Sequence, residues 1–176
     1  MRKRRFCENR ALYRRLLLDK DYVDVRFDVM SGGVSAIHKY HRFDQQSGPY
    51  GIRRGEYERI VVDTLRRKGY VVLLGPERAP SGIKTPDGTL NGAIMDIKTV
   101  ESVGRWAIKE KLHAATKQKA TVLVLYFPIG ALFSESRIEE GWQRHQESYD
   151  SQRYPQTVRR LVCLVNGRCI IKKPPW

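Results

Sequence analysis

Cysteine is scarce in this sequence. Cys7, Cys163 and Cys169 make neither an even disulfide framework nor a paired zinc signature, so a reducing compartment is the simpler expectation. Cys163 and Cys169 stand where they can face each other across a hairpin, but with this much core available a bridge there is not expected to matter. Long apolar runs are missing too, and no long basic amphipathic stretch has a strong apolar face, so membrane association is not expected. No secretory signal is visible: Met1-Arg2-Lys3-Arg4-Arg5 is basic, but the Cys-Glu-Asn-Arg that follows breaks any apolar region before it begins. The chain is therefore expected to stay inside its cell unless it is exported as part of something larger.

Acidic residues are also in short supply: 33 Lys and Arg face 19 Asp and Glu, a formal charge of +14 spread along the chain. Such a field attracts phosphate polymers, which makes nucleic acid the expected partner, against the plainer reading of a basic surface that serves solubility. With 176 residues, 41% apolar and 30% charged, the chain is an ordinary globular protein of one fold. The expected organisation is an N-terminal arm or extension over 1–50, a core over 51–128, and a C-terminal helix and hairpin over 129–176 in the same domain.

Residues 8–18 fit a short helix with Leu12, Leu16 and Tyr13 on one side. The basic run before it is expected as a solvated arm whose first candidate ligand is phosphate. Tyr22 to Phe27 alternates as a strand does, Ser31-Gly32-Gly33 reads as a turn, and 34–51 carries no clear pattern. From Arg53 to Lys68 the spacing is helical, with Tyr57, Ile60, Val61, Thr64 and Leu65 on one buried stripe and Gly69 as the stop. Strands are expected at 70–74 and 91–100, a helix at 105–119 with Ile108, Leu112 and Ala115 inward, and a buried strand at 121–127. A helix at 135–147 and a hairpin turning on Asn166-Gly167 close the chain. The fold class is α/β.

Three places carry the chemistry. Glu58 borders the apolar stripe of the first core helix, with Glu56 in reserve. Thr85-Pro86-Asp87-Gly88 sets a second carboxylate at a turn before the 91–100 strand. Asp96 and Lys98 stand two apart on that strand and project from one face. Hydrolysing a phosphodiester needs an activated water and neutralisation of the charge that grows on the phosphoryl oxygens. Clustered carboxylates hold a hard cation such as Mg²⁺ or Mn²⁺, here Asp87 and Asp96 with Glu58 directly or through water, while the Lys98 ammonium orients the water or stabilises the transition state.

Pro86-Asp87, eight residues and then Asp96-Ile97-Lys98 resembles the PD-(D/E)XK motif of restriction-type nucleases, resolvases and toxin nucleases. Gly55-Glu56-Tyr57-Glu58 and the later Lys68-Gly69-Tyr70 are similar to that superfamily's first helix. The resemblance covers about 75 residues and implies a restriction-endonuclease-like αβββαβ core with a mixed sheet. Lys84 to Gly88, Asn91 to Lys98 and the basic helix ending in Gln118-Lys119 look like C-terminal nuclease domains of contact-dependent inhibition toxins and related mobile-element proteins. Such relatives cut tRNA or DNA, and the resemblance implies an immunity protein as partner and delivery into a target cell. It departs in having Asp96 where glutamate is commoner, and no tyrosine four residues after Gln118.

Nucleic-acid contacts are expected from Lys84, Lys109, Lys117, Gln118 and Lys119, and from His38 and His41. With Lys39, Tyr40 and Arg42 these two histidines read more simply as a basic aromatic surface than as metal ligands. Two rivals stand beside the nuclease. One is a metal-independent ribonuclease of barnase or RelE-like type using His38 or His41 for acid/base work. The other is a catalytically inactive nucleic-acid-binding accessory protein.

Overall fold

The computed structural model describes residues 2–48, 51–77, 85–101, 104–147, 156–166 and 168–172. Local signals and burial combine there into an α/β fold. The elements are α1 (Arg2–Leu18), β1 (Tyr22–Phe27), β2 (Val34–His38), α2 (Arg54–Arg67), β3 (Val71–Leu74), β4 (Gly88–Leu90), β5 (Ala93–Thr99), α3 (Ala107–Lys117), β6 (Val122–Phe127), α4 (Glu135–Glu147), β7 (Arg160–Val165) and β8 (Arg168–Lys172). All eight strands form one sheet in chain order, parallel at β2–β3, β5–β6 and β6–β7 and antiparallel elsewhere. From α2 to β6 the order is the αβββαβ expected for 51–128.

Pleating sorts the side chains onto two faces. Val72, Leu74, Leu90, Met95, Ile97, Val122 and Val124 bury one face beneath Val61, Val62 and Leu65 of α2. Leu123, Leu125, Leu161 and Cys163 bury the other beneath Ile108, Leu112 and Ala115 of α3 and Ile138 and Trp142 of α4. On that second face α1 sets Leu16 against Val34, Ala36 and Val71. Between α1 and α3 the face stays partly open: Leu73 and Thr89 are half-buried, and their neighbour across the ladder, Ile94, is 41% exposed.

The β4–β5 hairpin closes through Asn91 (φ 50°) and Gly92 (φ 82°), the two positive φ values that a two-residue primed turn requires. Asn91 Oδ1 accepts from Val71 N (2.9 Å) and from Arg5 Nη2 (2.8 Å), tying the turn to β3 and to α1. Gly88 has no room for a side chain, since a Cβ there would lie 2.0 Å from the Leu73 carbonyl oxygen.

Four expectations are corrected. The basic start is helical from Arg2 rather than a solvated arm. Residues 34–38, unpatterned in the sequence, form β2, a strand buried along nearly its whole length. On α2 the buried stripe includes Val62 and Arg66, while Ile60 is 41% exposed. Cys163 pairs with Ile170 and Cys169 with Leu164, so the two thiols lie on opposite faces, and no disulfide joins them. No helix among the described residues is long and apolar enough to cross a membrane.

Candidate active site

Asp87 precedes β4 by one residue, and the ladder pairs Gly88 with Met95, so the next step brings Asp87 opposite Asp96. The Ile97 backbone N–H donates to Asp87 Oδ2 at 2.6 Å, which fixes that carboxylate beside the second strand. Asp96 is fully buried; Lys98, two residues on and on the same face, donates from Nζ to Asp96 Oδ1 at 2.7 Å. Burial pushes the Asp96 carboxyl up to about 7, Asp87 adds to the rise, and the Lys98 charge opposes it.

Gln118, just past α3, is buried against the same acid. An ionised carboxylate only accepts, so the amide nitrogen turns toward Asp96 and donates to Oδ2 at 2.9 Å. Asp96 thus meets an ammonium, an amide and a second acid. Lys111, about two turns earlier on α3, lies near Lys98 and Glu101; burial lowers its pKa, Glu101 opposes that, and Lys98 and Arg54 reinforce it. Glu101 accepts two bonds from Arg54 (both 3.2 Å), holding the start of α2 to the end of β5.

Glu58 comes from α2, on the far face of the sheet, and meets His41 with Oε1 3.0 Å from Nε2. The imidazole is not aligned along that line, so the contact is an ion pair rather than a directed hydrogen bond. His41 Nδ1 lies 2.9 Å from the Gly75 carbonyl oxygen and donates to it. Burial works against the charged imidazole, yet Glu58, Gly75 and Asp87 together raise its pKa. Glu58 is raised as well, by burial first, with His41 opposing and Asp87 and Glu77 adding. With Nδ1–H committed to a carbonyl and Nε2 facing a carboxylate, the direction that fits the geometry is an imidazolium against an ionised Glu58.

Asp87, Asp96 and Lys98 therefore come together as the sequence spacing implied. Glu58 is electrostatically linked to Asp87 from the other layer, but among the described residues no group of three His, Cys, Asp or Glu side chains is placed to hold a metal ion. The pair Asp87 and Asp96 fits a hard cation by its chemistry: two carboxylates side by side across one hairpin, the second of them fully buried. Magnesium sites commonly use one or two carboxylates and keep several waters.

The expected contact residues scatter more widely. His41, expected on an open basic surface, has a side chain only 3% exposed. His38 accepts from the Tyr40 backbone N–H (3.1 Å) and stands edge-on to Tyr22 at the end of β2. Lys109 sits over the Trp106 ring, Lys117 and Lys119 are exposed at the far end of α3, and Lys84 lies outside the described residues. Exposed cations gather instead on α1, among them Lys3, Arg4, Arg5, Arg10, Arg14 and Arg15, and Arg5 reaches the β4–β5 turn at Asn91 beside the open strip that carries Ile94. The partnership of His41 with Glu58 carries no local signal, because 16 residues lie between them.

No protein-family model matches the chain, and no curated protein matches it. Among solved structures it is similar to a chain of the CdiA-CT/CdiI toxin and immunity complex from Burkholderia pseudomallei, at 20% identity and a TM-score of 0.44, over 80% of this chain and 99% of that one. A likeness that loose does not bear on the function of this chain.

Proposed function

We propose that the chain is a divalent-cation-dependent phosphodiesterase that cuts nucleic acid. The observation that carries this reading is the pairing of Asp87 and Asp96 across one hairpin, with the Lys98 ammonium 2.7 Å from Asp96. Asp87 and Asp96 would hold Mg²⁺ or Mn²⁺, which when bound supplies Lewis-acid charge and a more acidic water. Lys98, its side chain 21% exposed, faces the open strip and offers its charge to a phosphoryl oxygen there. Gln118 keeps Asp96 oriented, and His41 keeps Glu58 ionised next to Asp87, which adds negative charge behind the cation.

A net charge of +14, with α1 on one side of the strip and α3 on the other, supports a polyanionic substrate. The ribonuclease reading that uses His41 is disfavoured, because a side chain 3% exposed does not reach a polymer's sugar. From the motif resemblance we also infer an acidic immunity-type partner that would cover this strip.

The test is incubation of purified protein with tRNA, total RNA, single-stranded DNA and duplex DNA, with Mg²⁺ or Mn²⁺ and with EDTA. Cleavage that needs the cation and disappears in Asp96→Ala and Lys98→Ala supports the proposal. Cleavage that survives chelation and both substitutions overturns it, and salt-sensitive binding without turnover in either metal selects the accessory-protein reading.

A further inference from the structure

A second concave feature lies on the same sheet face as Lys98. Val100 follows Lys98 by two residues, and its N–H donates to the Tyr126 carbonyl at 2.8 Å, so the β5–β6 pairing runs on and Val100 projects to the same side. Two residues along a strand amount to about 7 Å. Val100, Ile108 and Phe127 form the apolar floor of a cavity of about 340 Å³ at the carboxyl ends of these parallel strands. That is where open α/β sheets place ligands, and the volume is at the lower end of small-molecule sites.

The rim is cationic. Arg105, Arg137 and Arg144 border the opening, with Glu140 the acid among them. Arg144 is held in place by donating from Nη1 to the Arg105 carbonyl (2.8 Å) and by pairing with Glu140 (3.2 Å). Beside the rim Trp106 is 48% exposed, with Arg105, Lys109 and Arg144 all 5.0–5.3 Å from its ring centroid. An exposed indole is costly to keep in water, and cations around it concentrate anions at its edge. Apolar floor, flat aromatic and fixed guanidinium groups together match a nucleotide: a base with apolar faces joined to a phosphate.

A base in a double helix is stacked and paired, and does not enter a concave pocket without being pulled out. We propose that this cavity takes one unpaired base next to the phosphate held at Lys98, so that the substrate is single-stranded nucleic acid or an unpaired loop. The inference rests on the nuclease reading for the position of the phosphate, but the binding it describes is measurable without cleavage.

The experiment is fluorescence anisotropy in EDTA, where a cation-dependent reaction is silent, with a labelled single-stranded oligonucleotide and the perfectly paired duplex of the same sequence, in RNA and DNA versions. The expected result is that the single strand of at least one sugar binds about tenfold more tightly than its duplex. Trp106→Ala, and Ser134→Trp placed to fill the cavity, each weaken that binding by about tenfold and leave duplex binding unchanged, while Trp106→Phe restores it. Circular dichroism confirms that each variant is folded. Equal affinity for duplex and single strand, or single-strand affinity indifferent to both Trp106→Ala and Ser134→Trp, overturns the proposal. Neither of those results touches the cation dependence of cleavage, and loss of the cleavage reading alone leaves this binding preference standing.

Discussion

The Ile97 backbone N–H donates to Asp87 Oδ2 at 2.6 Å, so the carboxylate of one strand is anchored to the main chain of the next, one residue past Asp96. An acid fixed in this way cannot swing away from its neighbour. Its presence makes the charge on Asp96 costlier, and that cost sets the first expectations.

Asp96 has a folded pKa of about 7 against an ordinary 3.8. A raised acid stabilises the fold below its unfolded pKa and loses that contribution as pH climbs through the folded value. Asp96 should therefore take stability away as pH rises from about 4 to 7, against the opposite slope that His145 imposes, and Asp96→Asn should remove the Asp96 share. The gain for Asp96→Asn is largest near pH 8, at up to about 4 kcal/mol, in thermal or urea unfolding. An Asp96→Asn slope parallel to wild type would show that the acid is already ionised at low pH.

Cation binding should release protons in the same window. Near pH 7 about half of the Asp96 carboxyl groups carry a proton that a cation must displace. Calorimetric titration with Mn²⁺ in buffers of different ionisation enthalpy should report about half a proton released at pH 7 and almost none at pH 8.5. Asp87→Ala should abolish the heat at both.

Breaking the His41–Glu58 pair should be costly and asymmetric. His41→Ala leaves the Glu58 carboxylate, 16% exposed, without its cationic neighbour and should cost about 3 kcal/mol. Glu58→Gln keeps the shape and removes what holds the proton on His41, so that the imidazole turns neutral near pH 7 and the cost should be less than half of that. Urea unfolding of the two variants measures the difference, and equal costs would show that packing rather than charge holds the pair.

A different group governs the acid side. His145 is buried between α3 and α4, with Nε2 3.4 Å from Thr116 Oγ1, and burial, with His113 and Lys109 adding, lowers its pKa to about 4. A lowered base is neutral in the fold and must be charged to gain what the unfolded chain gains, so stability is present above pH 6.5 and lost as pH falls toward 4. The loss approaches about 3 kcal/mol, and His145→Gln should flatten it in a melting series from pH 7 to pH 4.

Much of this arrangement is written locally. The α2 stripe, the apolar runs of β3 and β6 and the turn begun by Asn166 each carry their own period or turn chemistry, and the two-residue step from Asp96 to Lys98 puts both on one face wherever that strand goes. β2 was illegible because Val34 to Ile37 is buried on both faces and so shows no alternation, and its parallel partner lies a helix away. The first turns of α1 lack an apolar stripe; they are helical through the favourable propensity of Arg and Lys and through Asn9, whose amide donates to the Gly32 carbonyl at 2.8 Å. Ile60 was misplaced because α2 turns Val62 toward the sheet and leaves Ile60 at the helix margin. His41 and Gln118 were misread as surface contacts since their partners, Glu58 and Asp96, are near them only after folding.

The turn at Asn91-Gly92 also has a kinetic consequence. Only eight residues separate the two acids, and a hairpin of this kind closes in about 1–10 μs. Asp87 and Asp96 should therefore meet before α3 brings Gln118 into place. Until burial raises Asp96 the two acids repel in that hairpin at any neutral pH, so stopped-flow refolding of wild type at pH 7 should be slower than that of Asp87→Ala. Millimolar Mn²⁺ should recover the difference in wild type and leave Asp87→Ala unaffected.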